Sequence, residues 1–397
     1  MARKTVLTLF GTRPEVIKLA PVLRLLEKHS DSIRTMNVAS GQHRDLVDPF
    51  VSLFGIRVDL DMRLMRPNQD SLGLLHRIVL EMSRTLNQQE CDLIVVQGDT
   101  TTALAGSLAG QMCGIPVAHV EAGLRSGNRL SPYPEEIHRV EISRLSTLHF
   151  AATPRNRNLL LREGIPGNNI FVTGNPVVDA IGLTRREHNA PIPVELAARI
   201  GGRKYIVLTT HRRESFGPAL RRNLEVLRAF IQEHEDLVLV FPVHPNPNVS
   251  AAANEIFAGH PRIILTPPLP YPEFLGLVSE CWLVVSDSGG IQEEVPSLGR
   301  PLLILRENTE RPECVEAGVA RLVGGSPNVL KQMLEEACLP GSWVHGVARC
   351  LNPYGAGDSA SRIVSVLMDF LNGQLNGTYN TEAAGSRKCM QDFALSL

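Results

Sequence analysis

This chain of 397 residues has no excess of charge of either sign, no long apolar run and no paired cysteines. Its formal net charge is −1, so nothing in the balance points to nucleic acid or an anionic membrane surface as a partner. No stretch reaches the roughly 18 consecutive apolar residues of a membrane span. At the amino terminus Ala2-Arg3-Lys4 leads straight into a short strand pattern, without the apolar region of a secretion signal, and a cytoplasmic location is expected. The seven cysteines (91, 113, 281, 314, 338, 350 and 389) are odd in number and include no Cys-x-x-Cys pair. That pattern predicts reduced thiols and argues against a disulfide framework or a structural zinc site. No Gly-x-Gly-x-x-Gly follows a strand and there is no Walker lysine, so the nicotinamide fingerprint and the ATPase loop are both missing. No His/Asp/Glu spacing resembles a metal site, internal repeats are absent, and neither cofactor nor metal is expected.

What is present is a steady alternation of short Val/Ile/Leu runs with longer amphipathic stretches, in a chain that is 43% hydrophobic and 20% charged. This is the pattern of parallel sheets covered by helices on both faces. Strands are predicted near 5–10, 36–39, 93–97, 117–120, 148–151 and 170–173, then near 205–209, 237–241, 262–265, 282–285, 302–305 and 321–323. Two doubly wound α/β sheets of about six strands each follow. Gly174-Asn175-Pro176, a helical linker and the Pro-rich patch 190–193 mark the break between them. The expected domains are 1–174 plus 353–371, and 175–352, with a flexible tail over 372–397.

In open α/β sheets ligands bind beyond the carboxyl ends of the strands, and the polar residues of this chain collect there. The clearest case is Val284-Val285-Ser286-Asp287-Ser288-Gly289-Gly290-Ile291-Gln292-Glu293-Glu294. An apolar strand stops in a small-residue turn and restarts as a helix whose amide end favours a phosphate. Glu294 lies far enough into that helix to accept ribose hydroxyls, which makes a nucleotide diphosphate the natural ligand. In Gly11–Lys18, Pro14 suits a first helical turn, and Arg13 and Lys18 add positive charge on partly different faces. One of them is expected to serve a substrate while the other pairs with a carboxylate. Asp99 after Gly98, Glu121 in His119-Val120-Glu121-Ala122-Gly123, and Glu135-Glu136 after Pro134 form an acidic set suited to acid–base work. Glu136 reads as a charge at a helix start favoured by the dipole. His211-Arg212-Arg213 supplies a proton donor or diphosphate ligand.

Taken in order, Gly11–Pro21, Gln42-His43-Arg44, Gly98–Thr102, His119–Arg125, Pro134-Glu135-Glu136, Thr173-Gly174-Asn175, His211–Ser215, Pro242–Pro245, Ser286–Glu294 and Thr309–Glu313 resemble the bacterial non-hydrolysing UDP-N-acetylglucosamine 2-epimerases over residues 5–371. The resemblance implies the two-domain GT-B fold, with the last helix returning to the first domain. It also implies C2 epimerisation of UDP-N-acetylglucosamine to UDP-N-acetylmannosamine, by elimination and re-addition of UDP through 2-acetamidoglucal, for cell-surface polysaccharide synthesis. Asp99, Glu121 and Glu135 then carry the acid–base work, with His211 at the diphosphate. Arg13, Lys18, Phe274, Ser288, Gly289, Gly290, Glu294 and Arg311 bind the nucleotide sugar. Gln42, Arg212 and His244 would form a regulatory pocket for a second UDP-N-acetylglucosamine, and the partners implied are UDP-N-acetylglucosamine, UDP and a second copy of the chain. Two positions depart from the family: His138 stands where Asn is usual, and Asp45 where Glu or Gln is common. Rival readings are epimerisation of a modified UDP-hexosamine, a GT-B glycosyltransferase, and a sensor that binds without turnover.

Overall fold

The computed structural model describes residues 3–42, 44–66, 70–188, 191–210 and 217–375. The chain divides into two compact units, Met1–Ala180 with Tyr354–Leu397, and Ile181–Pro353.

In the first unit the strands are β1 (Lys4–Phe10), β2 (Ile33–Ala39), β3 (Leu60–Asp61), β4 (Leu93–Gln97), β5 (Val117–Ala122), β6 (Leu148–Ala151) and β7 (Ile170–Val172). Its helices are α1 (Arg13–Lys28), α2 (Arg44–Leu53), α3 (Ser71–Gln88), α4 (Thr101–Met112), α5 (Glu135–Leu145), α6 (Pro154–Arg162) and the start of α7 (Pro176–His188). All strand pairs are parallel, in the order β3-β2-β1-β4-β5-β6-β7. Continuous apolar sequence in β1 and β4 follows from burial on both faces: Leu7, Leu9, Ile94 and Val96 pack with Ile78 and Met82 of α3 and Ala105 and Ala109 of α4. Each such Leu, Ile or Met contributes about 1.5–3 kcal/mol on leaving water.

The second unit repeats the design with α8 (Val194–Ile200), β8 (Lys204–Thr209), α9 (Pro218–Glu233), β9 (Leu237–Pro242), α10 (Pro247–Phe257), β10 (Ile263–Thr266), α11 (Tyr271–Glu280), β11 (Leu283–Ser286), α12 (Gly289–Leu298), β12 (Leu302–Ile304), α13 (Glu313–Glu316), β13 (Ala320–Leu322) and α14 (Pro327–Cys338). Its strand order is β10-β9-β8-β11-β12-β13, again wholly parallel. The final helix, α15 (Ser359–Leu371), belongs to the first unit and packs against α1. Its first amides, those of Ser359 and Ala360, donate to the carboxylate of Asp179 in α7 (3.2 and 3.1 Å).

The unit break falls inside α7, between Ala180 and Ile181, a few residues beyond the expected boundary after Gly174. A helix carries the chain across because its backbone hydrogen bonds need no partner from either sheet. The reduced-thiol expectation is corrected at Cys113, which is disulfide-bonded at the C-cap of α4, where it is partly exposed. Cys91, Cys281, Cys314, Cys338 and Cys350 are thiols. The expected tail begins at 372, and its residues 376–397 lie outside the described residues.

Candidate active site

In each unit the strand order reverses beside the first strand: between β1 and β4, and between β8 and β11. Loops leaving neighbouring strands in opposite directions open a crevice at such a point. Among the predicted site residues, Arg13 follows β1, Asp99 follows β4 and Ser288–Gly290 follow β11, whereas Glu121 ends β5, Glu135 opens α5 and Phe274 lies within α11.

In the first unit, β5 ends with Glu121 in a left-handed backbone conformation, φ 68°, at an irregularity in its pairing with β6. A non-glycine residue there costs of order 1–3 kcal/mol, and such strain concentrates at functional positions. The distortion leaves the Glu121 side chain held from two directions. Lys18 Nζ donates to Oε1 at 2.5 Å, and the Gln97 amide donates to Oε2. Both members of the Lys18–Glu121 pair are almost wholly buried. Of the two cations at the start of α1, Lys18 is thus the one engaged with a carboxylate. Arg13 is exposed, with its guanidinium 5.9 Å from the Phe50 ring.

Asp99, one residue beyond the left-handed Gly98, is gripped by Arg139 of α5 through Nε (2.7 Å) and Nη2 (2.6 Å). The same guanidinium reaches Glu136 Oε2 through Nη1 at 2.8 Å. Glu136 also accepts the amides of Ser126 (2.9 Å) and Gly127 (3.0 Å). Burial works to raise its pKa, but the two amides and Arg139 outweigh it and hold the carboxyl below its usual range. Glu136 sits at the helix start as expected, but it is also a buried strut that carries Arg139 to Asp99. His138 Nδ1 donates to the Asp99 carbonyl at 2.8 Å, so the departure from Asn places a ring on the Asp99 backbone. His119 Nε2 donates to the Gly98 carbonyl at 2.7 Å; burial depresses its pKa to about 3 and keeps it neutral.

Glu135 differs from its neighbours. Its Oε2 is buried and has no hydrogen-bond partner among the described residues, in a half-buried side chain at the first position of α5. An unpaired buried carboxylate oxygen is costly to keep, and the cost is recovered where a ligand or a proton completes it.

In the second unit, β11 runs into Ser288, the N-cap of α12, whose side chain makes no capping bond. The early amides of that helix, from Gly289 and the exposed Gly290 onward, thus remain available to an anion. The turn is fixed from beneath by the Ser288 amide donating to Ser286 Oγ (3.0 Å) and by Thr210 Oγ1 donating to the fully buried Asp287 (2.7 Å). Glu294 is oriented by the hydroxyl of Tyr271 (3.1 Å), and Phe274 is half-buried on the same helix as Tyr271. Arg311 is buried, with Nε on Glu293 Oε1 (2.6 Å) and Nη1 on Glu310, which in turn meets Arg306 (2.8 Å). This carboxylate shell around Arg311 was not foreseen.

Of the regulatory candidates, Gln42 Oε1 accepts the hydroxyl of Thr102 (2.8 Å), and the exposed His244 accepts the Asn246 amide on Nδ1 (3.2 Å). His211 and Arg212 lie outside the described residues. Sequence reasoning missed Gln97, Arg139, Tyr271, Glu293 and Glu310 as partners. Only Arg139 left a readable signal, three residues after Glu136 on one helix face.

Comparison with known proteins agrees over most of the chain. A family model described as UDP-N-acetylglucosamine 2-epimerase matches residues 25–368. A Yersinia pestis protein named UDP-N-acetylglucosamine 2-epimerase is 43% identical over 368 residues, spanning 91% of this chain and 98% of that protein. The crystal structure of a Neisseria meningitidis UDP-GlcNAc 2-epimerase bound to UDP-GlcNAc is 37% identical with a TM-score of 0.86, covering 92% of this chain and 100% of the other. A Methanocaldococcus jannaschii UDP-GlcNAc 2-epimerase in complex with UDP-GlcNAc and UDP is 34% identical with a TM-score of 0.79, covering 92% and 99%. The two Rossmann-like sheets are those of the GT-B class. Because likeness of this extent runs through both units, the chain belongs to the UDP-N-acetylglucosamine 2-epimerase family, whose members are isomerases.

Proposed function

We propose that this chain interconverts UDP-N-acetylglucosamine and UDP-N-acetylmannosamine by loss of UDP across C1–C2 and its re-addition to the resulting 2-acetamidoglucal. The observation that carries the reading is the unpartnered Oε2 of Glu135 on the unit whose strand ends also bear Asp99 and Glu121. The C2–H bond is unactivated, so its proton leaves only as the C1–O bond to the diphosphate breaks. That step needs a base, an acid for return of the proton on the opposite face, and donors for the departing charge.

Asp99, Glu121 and Glu135 share the acid–base work. Lys18 and Arg139 fix the first two, and Glu135 keeps an oxygen open for the proton. The amide end of α12 at Ser288, Gly289 and Gly290 receives the diphosphate, His211 is assigned to the same group, and Arg13 is assigned to nucleotide-sugar binding. Glu294, oriented by Tyr271, takes the ribose hydroxyls, and Phe274 and Arg311 complete the nucleotide site. Lys18 acts toward the sugar through its pair with Glu121. Gln42, Arg212 and His244 are assigned to regulation by a second sugar nucleotide, and the working form is a cytoplasmic homodimer. Among the described residues no helix is long and apolar enough to cross a membrane.

Incubation with UDP-N-acetylglucosamine in deuterated water, followed by proton NMR, tests the reading. The expected result is UDP-N-acetylmannosamine with deuterium at C2. Epimerisation with full retention of the C2 proton would exclude elimination, and accumulation of free UDP with N-acetylmannosamine would mean a hydrolase.

A further inference from the structure

Glu15 is wholly buried at the amino end of α1, yet it forms no ion pair among the described residues. Its Oε2 accepts the amides of Gly11 (3.0 Å) and Thr12 (2.7 Å), the ordinary business of a capping carboxylate. Its other oxygen does something a cap does not require. Oε1 accepts the hydroxyl of Thr100 at 2.8 Å, from a loop 85 residues further along the chain. Thr100 is itself the N-cap of α4, its Oγ1 accepting the Ala103 amide at 2.9 Å, so its hydroxyl proton is committed to Glu15. One carboxylate therefore ties the β1 loop to the β4 loop across the point where the strand order reverses. The first loop leads into Arg13 at the start of α1, and the second carries Asp99.

Neighbouring contacts give the bridge a fixed floor. Ser40 Oγ and Thr102 Oγ1 meet at 2.9 Å, and a Cβ on Gly11 would fall 2.1 Å from the first and 2.5 Å from the second. The β1 loop therefore has no room to shift toward α4. Burial pushes the Glu15 carboxyl up to about 7 against the opposing hydrogen bonds, a cost that a cap alone does not need.

We propose that Glu15 is a positioning residue: by bridging Gly11 and Thr12 to Thr100 it sets the distance between the two loops, and so holds Asp99 where the reaction needs it. This rests on the epimerase reading for its kinetic consequence, but not for the bridge itself.

The test compares Glu15→Gln, Thr100→Val and Thr100→Ser in the full chain. An amide cannot accept from both loops with both of its ends, so Glu15→Gln should cut kcat about tenfold to a hundredfold with KM changed less than threefold. Thr100→Val should reproduce this from the other side of the bridge, and Thr100→Ser, which keeps the hydroxyl, should restore kcat to within about threefold. The Glu15→Gln/Thr100→Val double variant should be no slower than the worse single. Hydrogen–deuterium exchange read by mass spectrometry, independent of turnover, should show faster exchange over both 11–15 and 98–103 in Glu15→Gln. Faster exchange confined to 11–15, or Thr100→Val with kcat within twofold of wild type, would reduce Glu15 to a helix cap and overturn the proposal. If the wild-type chain shows no turnover, the epimerase reading falls, and the exchange pattern alone decides whether the bridge exists.

Discussion

Lys18→Met tests how far the first unit depends on its buried ion pair. The two side chains are 7% and 6% exposed, so the substitution removes the cation from a carboxylate that water cannot reach. Breaking a buried pair from one side costs about 3–5 kcal/mol, mostly the desolvation of the charge left behind. For a unit of this size about 2–4 °C of melting temperature corresponds to each kcal/mol, so calorimetry should record a fall of about 6–20 °C. Glu121→Gln should destabilise comparably, because it strands Lys18 instead. The double variant removes both charges, and methionine fills much of the space of the lysine stem. It should regain at least half of the summed loss while remaining inactive. The reasoning fails if Lys18→Met melts within about 2 °C of wild type, or if the double variant loses the sum of the two singles.

Two further outcomes follow from neighbouring groups. Glu135→Gln should reduce turnover about a hundredfold or more with an unchanged melting temperature, because its Oε2 supports nothing in the fold. Glu136→Gln should lower the melting temperature as well, since it weakens the hold on Ser126, Gly127 and Arg139; a thermally silent Glu136→Gln would remove the strut. Stability against pH separates Glu15 from the buried histidines. The Glu15 pKa is raised from 4.5 to about 7, so its contribution is complete below pH 4.5 and is lost as pH climbs through 7. His119 and His149 are depressed from 6.5 to about 3 and about 4, so theirs is present above pH 6.5 and lost as pH falls. Urea titrations at pH 5 and pH 7 should show that Glu15→Gln gains stability at pH 7 relative to pH 5, compared with wild type. An identical pH dependence in the two proteins would contradict the burial of that carboxyl.

The strands were legible because a parallel sheet covered on both faces demands unbroken Val, Ile and Leu, as in Leu93–Val96 and Val238–Phe241. β3 was not, since a two-residue edge strand needs no apolar run. Chemistry at the strand ends was legible as residue type and position: Asp99, Glu121 and Glu135 all lie at carboxyl ends of β4 and β5 or at the start of α5. Pairing was not, because partners such as Lys18 and Glu121, 103 residues apart, meet only once the strand order is known. The partners of Glu136 were hidden for the same reason. A charge at a helix start looks alike whether it faces water or accepts the amides of Ser126 and Gly127, and only the path of the loop tells them apart.

The return of α15 to the first unit bears on how the protein is made. Synthesis proceeds from the amino terminus, and domains tend to fold as they emerge. Here the unit that begins first cannot be finished first: α1 awaits a helix that leaves the ribosome only after all of Ile181–Pro353. The second unit, continuous in sequence, can close on its own in the interval. Until residues 359–371 arrive, one flank of α1 stays uncovered and the Asp179 carboxylate lacks the amides of Ser359 and Ala360. A nascent chain truncated just short of α15 is thus a half-closed species with exposed apolar surface, the form that chaperones would meet.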